Sequence, residues 1–406
     1  MYLTPIFQSP SNHKYDTADY YTVDPCFGGN RALEKLVSAL RQRGMRIILD
    51  GVFNHTGDQF PPFQDLLDRN EASQYRDWFF PQGYPLRQMP EPNYKVCGGA
   101  YNLPKINNDL PEVRRFLYGI ATHWLKREAL IDGWRLDVPW EVSHDFWRGF
   151  RQAVKDVRKD AYLVGELWGN PHPWLQGDQF DGAINYPLRE LILRFFLQRA
   201  IDAGTFQREL DLLAQTCGGA VNMMLNLLGS HDTARILTVA GGNMDAVLQM
   251  YTFLFAYPGC PMIYYGDEVG MAGGNDPGCR GTMDWKRSRS NHILHKWIRG
   301  LTRLRKAHTA FRRGNFRVVV VQDRLFGFMR QSEEERIVAL FNAGFQHEEV
   351  RIALPDETGG DWYDCLSGER FAADCGELTI CIAARGSRLL TPFAVAAQSS
   401  ESILNP

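Results

Sequence analysis

The stretch DGWRLDVPW, residues 132 to 140, follows a helix-like segment and has the apolar character of a buried strand. Within it, Arg135 and Asp137 are two residues apart, so a strand would place both side chains on the same face. Burying a charged pair is costly unless each charge is satisfied. The pair is therefore either a structural salt bridge or part of a site that carries out chemistry.

Similar strand-like runs alternate with amphipathic helical segments from about residue 31 to 306. Such alternation predicts parallel strands joined by crossover helices, so the expected architecture is a (β/α)8 barrel of the TIM type. The runs are MRIILDGV (45–52), IDGWRLDV (131–138), AYLVGEL (161–167), QFDGAINY (179–186), VNMMLNLLGS (221–230) and PMIYYGDE (261–268).

The pattern changes in two places, which predicts a division of the chain. Residues 56–108 form a long connection rich in Pro, Gln and aromatic residues, typical of a loop subdomain over a barrel mouth. After about residue 308 the sequence alternates short strands and turns, which predicts an antiparallel β-sandwich. We therefore expect a catalytic barrel over 1–308, a sandwich over 309–397 and a frayed tail over 398–406.

The composition of the chain bears on which partners it can bind and on where in the cell it is expected to lie. With 45 basic and 47 acidic residues and a formal charge of −2, the chain has no excess of positive charge for nucleic acid or an anionic membrane. It has neither a run long enough to span a membrane nor an obvious signal peptide, so a cytoplasmic location is the default. The eight cysteines lack metal-ligand spacing and are expected to be reduced, although Cys365 and Cys375 could pair in an exported protein.

Polar side chains stand at the C-terminal ends of four predicted strands. In a (β/α) barrel these ends form the mouth where active sites lie, so residues distant in sequence converge there. Four acidic strand ends in one mouth are hard to explain by packing. The residues are Asp50, Asn54 and His55, then Arg135 and Asp137, then Glu166, and finally His231 and Asp232.

Most of these residues also have a purely structural interpretation. Asp50 is explained equally well as a cap of the following turn, Asn54 as a brace for the loop, and Arg135 with Asp137 as an ion pair. Glu166 is harder to explain in this way. Its sequence neighbours are apolar, and such a setting favours the protonated form that a proton donor needs.

The available side chains favour one chemistry over others. The sequence has no GxSxG elbow, no glycine-rich phosphate loop and no zinc-ligand spacing. What it offers is carboxylates, an arginine, histidines and many aromatic residues. Two carboxyl groups about 5 to 5.5 Å apart are the machinery of retaining glycoside hydrolysis, in which one is a nucleophile and the other an acid and base.

Four motifs, in order, resemble the short conserved regions of the α-amylase family: DGVFNH (50–55), GWRLDV (133–138), GELW (165–168) and LLGSHD (227–232). Further stretches resemble its neopullulanase, cyclomaltodextrinase and maltogenic amylase branch, whose MPKLN signature is similar to LPKIN here. These stretches are TPIFQSPSNHKYDTADY (4–20), YNLPKIN (101–107), WLQGDQFDGAINYP (174–187) and NDPGCRGTMDW (275–285).

The resemblance implies a retaining hydrolase of α-1,4-glucosidic bonds in maltodextrins, cyclodextrins or pullulan, with some transglycosylation. It implies Asp137 as nucleophile, Glu166 as general acid and base, and Asp232 as a third carboxylate that stabilises the transition state. Asp50 and Asn54 would support the site from behind. Substrate-binding roles are implied for Tyr15, His55, Arg135, Glu141, Trp168, His231, Asp276 and Arg280.

The sequence also departs from the family pattern. It opens at MYLTPIF, which resembles the end of the second barrel strand, so we expect an amino-terminally truncated barrel. A homodimer is expected only where the family's amino-terminal domain is present. Trp140 stands where this branch usually has Asn. No cofactor is expected to be required, and calcium is left open because Asn54 matches a ligand in many α-amylases while this branch often lacks that site.

Other functions remain as alternatives. Within the family, an exo-acting α-glucosidase or a trehalose-forming enzyme would use the same carboxylates. Outside catalysis, the chain could be a glycan-binding relative, or inactive because its barrel is incomplete. The presence of all three predicted carboxylates favours the hydrolase, with α-glucan oligosaccharides or polysaccharides as partners.

Overall fold

The computed structural model describes residues 1–126, 131–289, 292–354 and 360–392. The chain divides into two compact units, Met1–Ile184 and a second one that begins at Asn185.

The first unit is built on parallel strands with helices between them. The three central strands, which end at Gly51, Leu136 and Leu167, lie side by side, and their buried residues form almost continuous apolar runs, as expected of a parallel sheet. The strands are β1 (Tyr2–Leu3), β2 (Phe7–Gln8), β3 (Asp19–Val23), β4 (Ile48–Gly51), β5 (Gly133–Leu136), β6 (Tyr162–Leu167) and β7 (Gly182–Asn185), which ends at the first residue of the second unit. The helices are α1 (Gly29–Arg41), α2 (Pro61–Arg69), α3 (Pro111–Lys126) and α4 (His144–Val157).

The register of β5 against β6 is set by a close backbone approach. Gly133 pairs with Tyr162 and Leu136 pairs with Gly165. A Cβ atom on Gly133 would lie 2.0 Å from the Tyr162 carbonyl oxygen, so only glycine fits there. This register brings the residues that follow Leu136 next to Glu166 at the same end of the sheet.

Helix α4 shows why the sequence folds locally as predicted. Its first turn is capped by the Ser143 hydroxyl, which accepts a hydrogen bond from the Phe146 amide. Its buried side chains recur at helical spacing, and Trp147 and Phe150 are fully buried. The apolar face of this helix therefore packs into the core of the first unit.

The long connection at 56–108 has structure of its own. It contains α2 and two short 3-10 helices, Asn70–Ala72 and Arg76–Trp78. Thr56 N–H donates to Pro104 O and joins the two ends of the connection, while Ile106 N–H donates to Asn54 O in the segment that follows β4, each at 3.1 Å. The connection is thus anchored beside the predicted site residues.

The second unit contains barrel-type elements followed by antiparallel sheets. Strand β8 (Leu225–Leu227) pairs in parallel with β9 (Cys260–Met262). The helices are α5 (Tyr186–Ile192), which continues into a π-helix (Leu193–Leu197), then α6 (Ala203–Cys217), α7 (Ile236–Val239), α8 (Met244–Ala256), α9 (Trp285–Arg289), α10 (Ile293–Ala307) and α11 (Thr309–Arg313).

The C-terminal part is a sandwich of two antiparallel sheets. The strands are β10 (Asn315–Gln322), β11 (Leu325–Gln331), β12 (Arg336–Asn342), β13 (Glu348–Ala353), β14 (Asp361–Asp364), β15 (Arg370–Ala372), β16 (Glu377–Ile382) and β17 (Ser387–Thr391). Six of them form one sheet in the order β10-β11-β12-β17-β14-β15, and β13 pairs with β16 in a second sheet. Apolar side chains from both sheets share one core, among them Leu340, Ile352, Ile380 and Leu390.

The six barrel strand-like runs of the sequence all contain strands in the structure. So do the five runs that predict the sandwich, FRVVVVQ (316–322), RLFGFMR (324–330), RIVALFN (336–342), EEVRIAL (348–354) and ELTICIA (377–383). Strands β14, β15 and β17 were not predicted. The domain limits at 308 and 397 stay predictions, and the predicted tail at 398–406 lies outside the described residues. All eight cysteines are free, and within the described ranges every helix is too short or too polar to cross a bilayer.

Candidate active site

One buried guanidinium organises the predicted residues of the first unit. Arg135 on β5 is 1% exposed, and its Nη1 contacts Asp50 Oδ1 at 2.8 Å and Asp137 Oδ1 at 2.7 Å. Its Nη2 contacts Glu166 Oε2 at 3.1 Å. The carboxyl groups of Asp137 and Glu166 therefore contact two different nitrogens of the same guanidinium. The predicted convergence of these strand ends is present.

The Glu166 carboxyl is surrounded by donors, although its sequence neighbours are apolar. Besides Arg135, the Val138 N–H donates to Oε2 at 3.0 Å and the Trp168 indole N–H donates to Oε1 at 3.1 Å. The apolar setting inferred for Glu166 from sequence is wrong for the carboxyl group itself. Both of its oxygens are held in fixed positions, as a group that must transfer a proton accurately requires.

The backbone at Val138 is unusual. Its φ of 35° and ψ of 53° lie in the left-handed region, which a β-branched residue rarely adopts. Strained conformations of this kind are concentrated at functional sites, where surrounding contacts maintain them. Here the strained residue supplies the amide that binds Glu166.

In this cluster one cation, Arg135, faces three buried carboxyl groups, and this imbalance of charge affects their pKa values. Burial raises the pKa of Asp137 well above its usual range, and the charges of Asp50 and Glu166 raise it further, while Arg135 lowers it. Burial likewise raises the pKa of Asp50 against the opposing effect of Arg135. Arg135 thus opposes the effect of burial on the pKa of both carboxyl groups. The cluster as a unit retains a proton more readily than isolated carboxyl groups do.

Asp50 has more partners than a turn cap would need. In addition to Arg135, it accepts hydrogen bonds from the Tyr2 hydroxyl at 2.7 Å and the Tyr15 hydroxyl at 2.9 Å. Tyr15 is thus linked to the carboxylate cluster, and it is partly buried. Sequence reasoning missed Tyr2, whose only signal was its place in the opening MYLTPIF.

His55 is buried and neutral in the native state at neutral pH. It is 2% exposed, its Nδ1 lies 3.4 Å from Asn54 Nδ2, and its buried Nε2 has no hydrogen-bond partner among the residues that the structure describes. Burial is the main cause that lowers its pKa to about 4. A neutral imidazole with one unsatisfied nitrogen is suited to bind a neutral polar ligand.

Lys105 is a second residue that sequence reasoning missed, although it lies in the quoted LPKIN stretch. Its ammonium donates to Asn54 Oδ1 at 2.6 Å, to Glu141 O at 2.8 Å and to Glu141 Oε2 at 3.0 Å. One side chain of the 56–108 connection thus joins the segment after β4 to the turn after β5. The available signal was a basic residue inside the otherwise uncharged stretch YNLPKIN (101–107).

The same contacts bear on calcium. The Asn54 amide oxygen, which the resemblance offered as a ligand, already accepts a hydrogen bond from the Lys105 ammonium. A second cation at this oxygen would face strong repulsion, so these residues do not fit Ca²⁺. Within the part of the chain that the structure describes, no group of three or more His, Cys, Asp or Glu side chains could hold a metal ion.

The predicted residues of the second unit also cluster. His231 Nε2 lies 3.1 Å from Asp232 Oδ2, and Arg280 Nη2 lies 3.4 Å from Asp232 Oδ1. Arg280 Nε pairs with Asp276 Oδ1 at 2.9 Å and also donates to the His231 carbonyl at 3.0 Å. Asp232 and Arg280 are each about a quarter exposed, so this polar group remains accessible to solvent.

Replacing Arg135 tests the central ion-pair cluster. We expect Arg135→Met to lower the free energy of unfolding by about 3 to 5 kcal/mol, because three buried carboxyl groups lose their cation. Urea unfolding measures this change. Arg76→Met, which removes an exposed arginine beside Asp77, should change stability by less than about 0.5 kcal/mol. Equal losses in the two variants would contradict the assigned role of Arg135.

The lowered pKa of His55 makes a pH prediction. Because the folded state disfavours the charged imidazole, its contribution to stability is full above the unfolded pKa of 6.5 and is lost as pH falls through about 4. Between pH 6.5 and about 4, the free energy of unfolding of the wild type should fall by about 3 kcal/mol more than that of His55→Gln. Chemical unfolding at a series of pH values gives the comparison, and parallel curves for the two proteins would refute it.

Lys105 allows a test of both stability and calcium. Lys105→Met removes three hydrogen bonds and should lower the free energy of unfolding by about 1 to 3 kcal/mol. The control is Lys35→Met, which changes an exposed lysine and should have little effect on stability. Millimolar Ca²⁺ should leave the wild-type unfolding midpoint unchanged. A calcium-induced rise in the wild type that disappears in Asn54→Ala would show that the ammonium does not exclude the metal.

Comparisons with known proteins agree with these motifs. A family model described as the alpha amylase catalytic domain matches residues 1–303, and one described as the maltogenic amylase C-terminal domain matches residues 316–389. A cyclomaltodextrinase of Geobacillus thermopakistaniensis is 44% identical over 94% of this chain and 65% of its own length. Neopullulanase 2 of Thermoactinomyces vulgaris is 42% identical over 94% of this chain and 66% of its own length.

A solved structure extends the comparison to the fold. The cyclic α-maltosyl-(1→6)-maltose hydrolase of Arthrobacter globiformis matches with a TM-score of 0.86 and 38% identity, over 96% of this chain and 85% of that chain. The chain spans slightly less than two thirds of the length of the two curated relatives. The predicted fold class, a (β/α) barrel followed by an antiparallel β-sandwich, is confirmed. With its motifs, fold and relatives in agreement, the chain belongs to the α-amylase family, in the branch of cyclomaltodextrinases, neopullulanases and maltogenic amylases.

Proposed function

We propose that this chain carries the catalytic apparatus of a retaining glycoside hydrolase that cleaves α-1,4-glucosidic bonds. The observation that supports it most is the pair Asp137 and Glu166, held by one guanidinium at the ends of adjacent parallel strands. Such a pair supplies the nucleophile and the acid that a double displacement through a covalent glycosyl-enzyme requires.

The two carboxyl groups have complementary roles in the first step. An Asp137 oxygen attacks the anomeric carbon and forms a glycosyl ester as the bond to the leaving oxygen breaks. Glu166 gives its proton to that oxygen, so the leaving sugar departs neutral. This step needs one ionised and one protonated carboxyl group, and Arg135 favours the ionised nucleophile because its charge lowers the pKa of Asp137.

The second step reverses these roles. The Glu166 carboxylate takes a proton from water while the water oxygen bonds to the anomeric carbon, and Asp137 leaves as a carboxylate. Arg135 contacts both groups, so it stabilises negative charge on whichever carboxyl bears it at each stage. Retention of configuration follows from the two successive inversions.

The remaining predicted residues would bind sugar hydroxyls. Neutral His55, with its buried unsatisfied nitrogen, is suited to an uncharged hydroxyl. By its motif, Asp232 is assigned the third carboxylate, with His231, Asp276 and Arg280 as further hydroxyl contacts. Asp50 and Tyr15 would act through Arg135 and the cluster around it.

The substrate class is inferred from the relatives. Their names specify cyclomaltodextrin, pullulan and a cyclic maltosyl-maltose as substrates. We therefore propose neutral α-glucans, including maltodextrins, cyclodextrins and pullulan, as substrates of this chain. The absence of a strong net charge fits such ligands.

Reducing-sugar release from maltoheptaose, β-cyclodextrin and pullulan tests the proposal. We expect release by the wild type and a loss of about 10⁴-fold in kcat/KM for Asp137→Asn, because an amide cannot serve as the nucleophile. Asp145→Asn, which alters an exposed carboxyl on α4, is the matched control and should keep wild-type activity.

Glu166→Gln gives the sharper arm of this test. It should be as defective as Asp137→Asn on glucans but should recover glycosylation with α-glucosyl fluoride, whose leaving group needs no proton. Equal activity of wild type and Asp137→Asn would overturn the proposal. Glucose as sole product, or trehalose, would instead indicate an exo-acting or trehalose-forming enzyme.

A further inference from the structure

Two adjacent tyrosines of the second unit contact the segment that carries Arg280. Tyr264 and Tyr265 follow strand β9, and their rings meet edge to face with centres 4.7 Å apart. The Tyr265 hydroxyl donates to the Gly281 carbonyl at 2.8 Å, and the Tyr264 hydroxyl donates to the Cys279 carbonyl at a longer 3.4 Å. Gly281 and Cys279 stand on either side of Arg280 in the sequence, so the two hydroxyls hold the backbone on both sides of this arginine.

A buried arginine fixes the positions of the two tyrosine rings. Arg235 is fully buried, and its Nη1 donates to the Tyr265 carbonyl at 2.6 Å and to Asp267 Oδ1 at 3.0 Å. Its guanidinium carbon lies 4.7 Å from the centre of the Tyr264 ring and 4.9 Å from the centre of the Tyr265 ring. Contacts between a cation and an aromatic ring are strongest when the cation is desolvated. The tyrosine hydroxyls therefore project from an anchored base.

The side chain of Arg280 reaches the segment that carries Asp232. Its Nε donates to the His231 carbonyl at 3.0 Å, and its Nη2 lies 3.4 Å from Asp232 Oδ1. The Cys279 thiol donates to the same His231 carbonyl at 3.2 Å, and Asp276 pairs with Arg280 Nε. A shift of the backbone at Arg280 would thus move its guanidinium relative to all the residues assigned to sugar hydroxyls in this unit.

Packing alone does not account for the tyrosine at position 265. Tyr265 is 42% exposed, so a large part of its ring is not buried in a core. A phenylalanine there would keep the ring that contacts Arg235. What it would lack is the hydroxyl that donates to Gly281 at a normal hydrogen-bond distance. The hydroxyl is therefore the feature of this side chain that the structure uses.

We propose that Tyr265 is a positioning residue, which acts through Arg280 by holding the Gly281 carbonyl. This inference rests on the proposed function. Arg280 binds sugar hydroxyls there, and a guanidinium that is already in place loses less entropy when the sugar arrives. Loss of the Tyr265 hydroxyl should weaken sugar binding and leave the bond-breaking steps of Asp137 and Glu166 unchanged.

The kinetics of maltotriose hydrolysis test this role. Tyr265→Phe should raise KM roughly three- to tenfold, the factor expected for one hydrogen bond, and should change kcat by less than about twofold. Initial rates of reducing-sugar release give both constants. The matched control is Tyr21→Phe, which changes a tyrosine of similar exposure, 39%, on β3 and should leave KM unchanged.

A double-mutant cycle with Arg280→Ala separates positioning from a purely structural contribution. Arg280→Ala should itself raise KM. If Tyr265 acts through Arg280, adding Tyr265→Phe to Arg280→Ala should change KM by less than about twofold. A contribution to the fold alone would multiply KM by the same factor in both backgrounds, because the effects of independent sites add as free energies. Thermal melting of the four proteins shows that each is folded at the assay temperature.

The outcomes separate this inference from the proposed function. If the wild type cleaves maltotriose but Tyr265→Phe keeps its KM, the inference is overturned and the proposed function stands. The same holds if Tyr265→Phe raises KM by an equal factor with and without Arg280. If the wild type releases no reducing sugar, both fall. A rise in KM that disappears in the Arg280→Ala background supports the assignment.

Discussion

The Arg135 guanidinium is a buried cation shared by three carboxyl groups, and the arrangement of the candidate site depends on it. It contacts Asp50 on β4, Asp137 after the end of β5 and Glu166 on β6, so it joins three parallel strands at their C-terminal ends. An arrangement of this kind contributes little net stability, because desolvation offsets much of the attraction. Its value lies in geometry: the planar fork of arginine fixes where each carboxyl oxygen can lie.

The surrounding structure keeps that geometry in place. The glycine at 133 sets the register of β5 on β6, and the left-handed backbone at Val138 directs an amide to Glu166. Lys105 then ties the 56–108 connection to Asn54 and Glu141 on either side. The site is thus held by regular strands together with one strained residue and one bridging side chain.

The sequence predicted those parts of this arrangement that follow from local patterns of residues. Strand periodicity and residues at strand ends predicted that Asp137 and Glu166 converge, since parallel strands end at one edge. It undervalued Asp50 and missed Tyr2 and Lys105, because their partners are 35 to 85 residues away and no local pattern indicates such contacts. Strands β14, β15 and β17 were missed because they are short, and pairing with neighbouring strands in the sheet stabilises them more than their own propensity does.

The most direct test of the central claim is to trap the covalent intermediate. A 5-fluoro-α-glucosyl fluoride reacts quickly in the first step and slowly in the second, because the ring fluorine destabilises the positively charged transition states while the fluoride leaves readily. Peptide mass spectrometry of the trapped protein then locates the sugar. The account predicts a single glycosyl adduct on Asp137, absent in Asp137→Asn. An adduct on another carboxyl group, or turnover that inverts the anomeric configuration with no adduct, would contradict it.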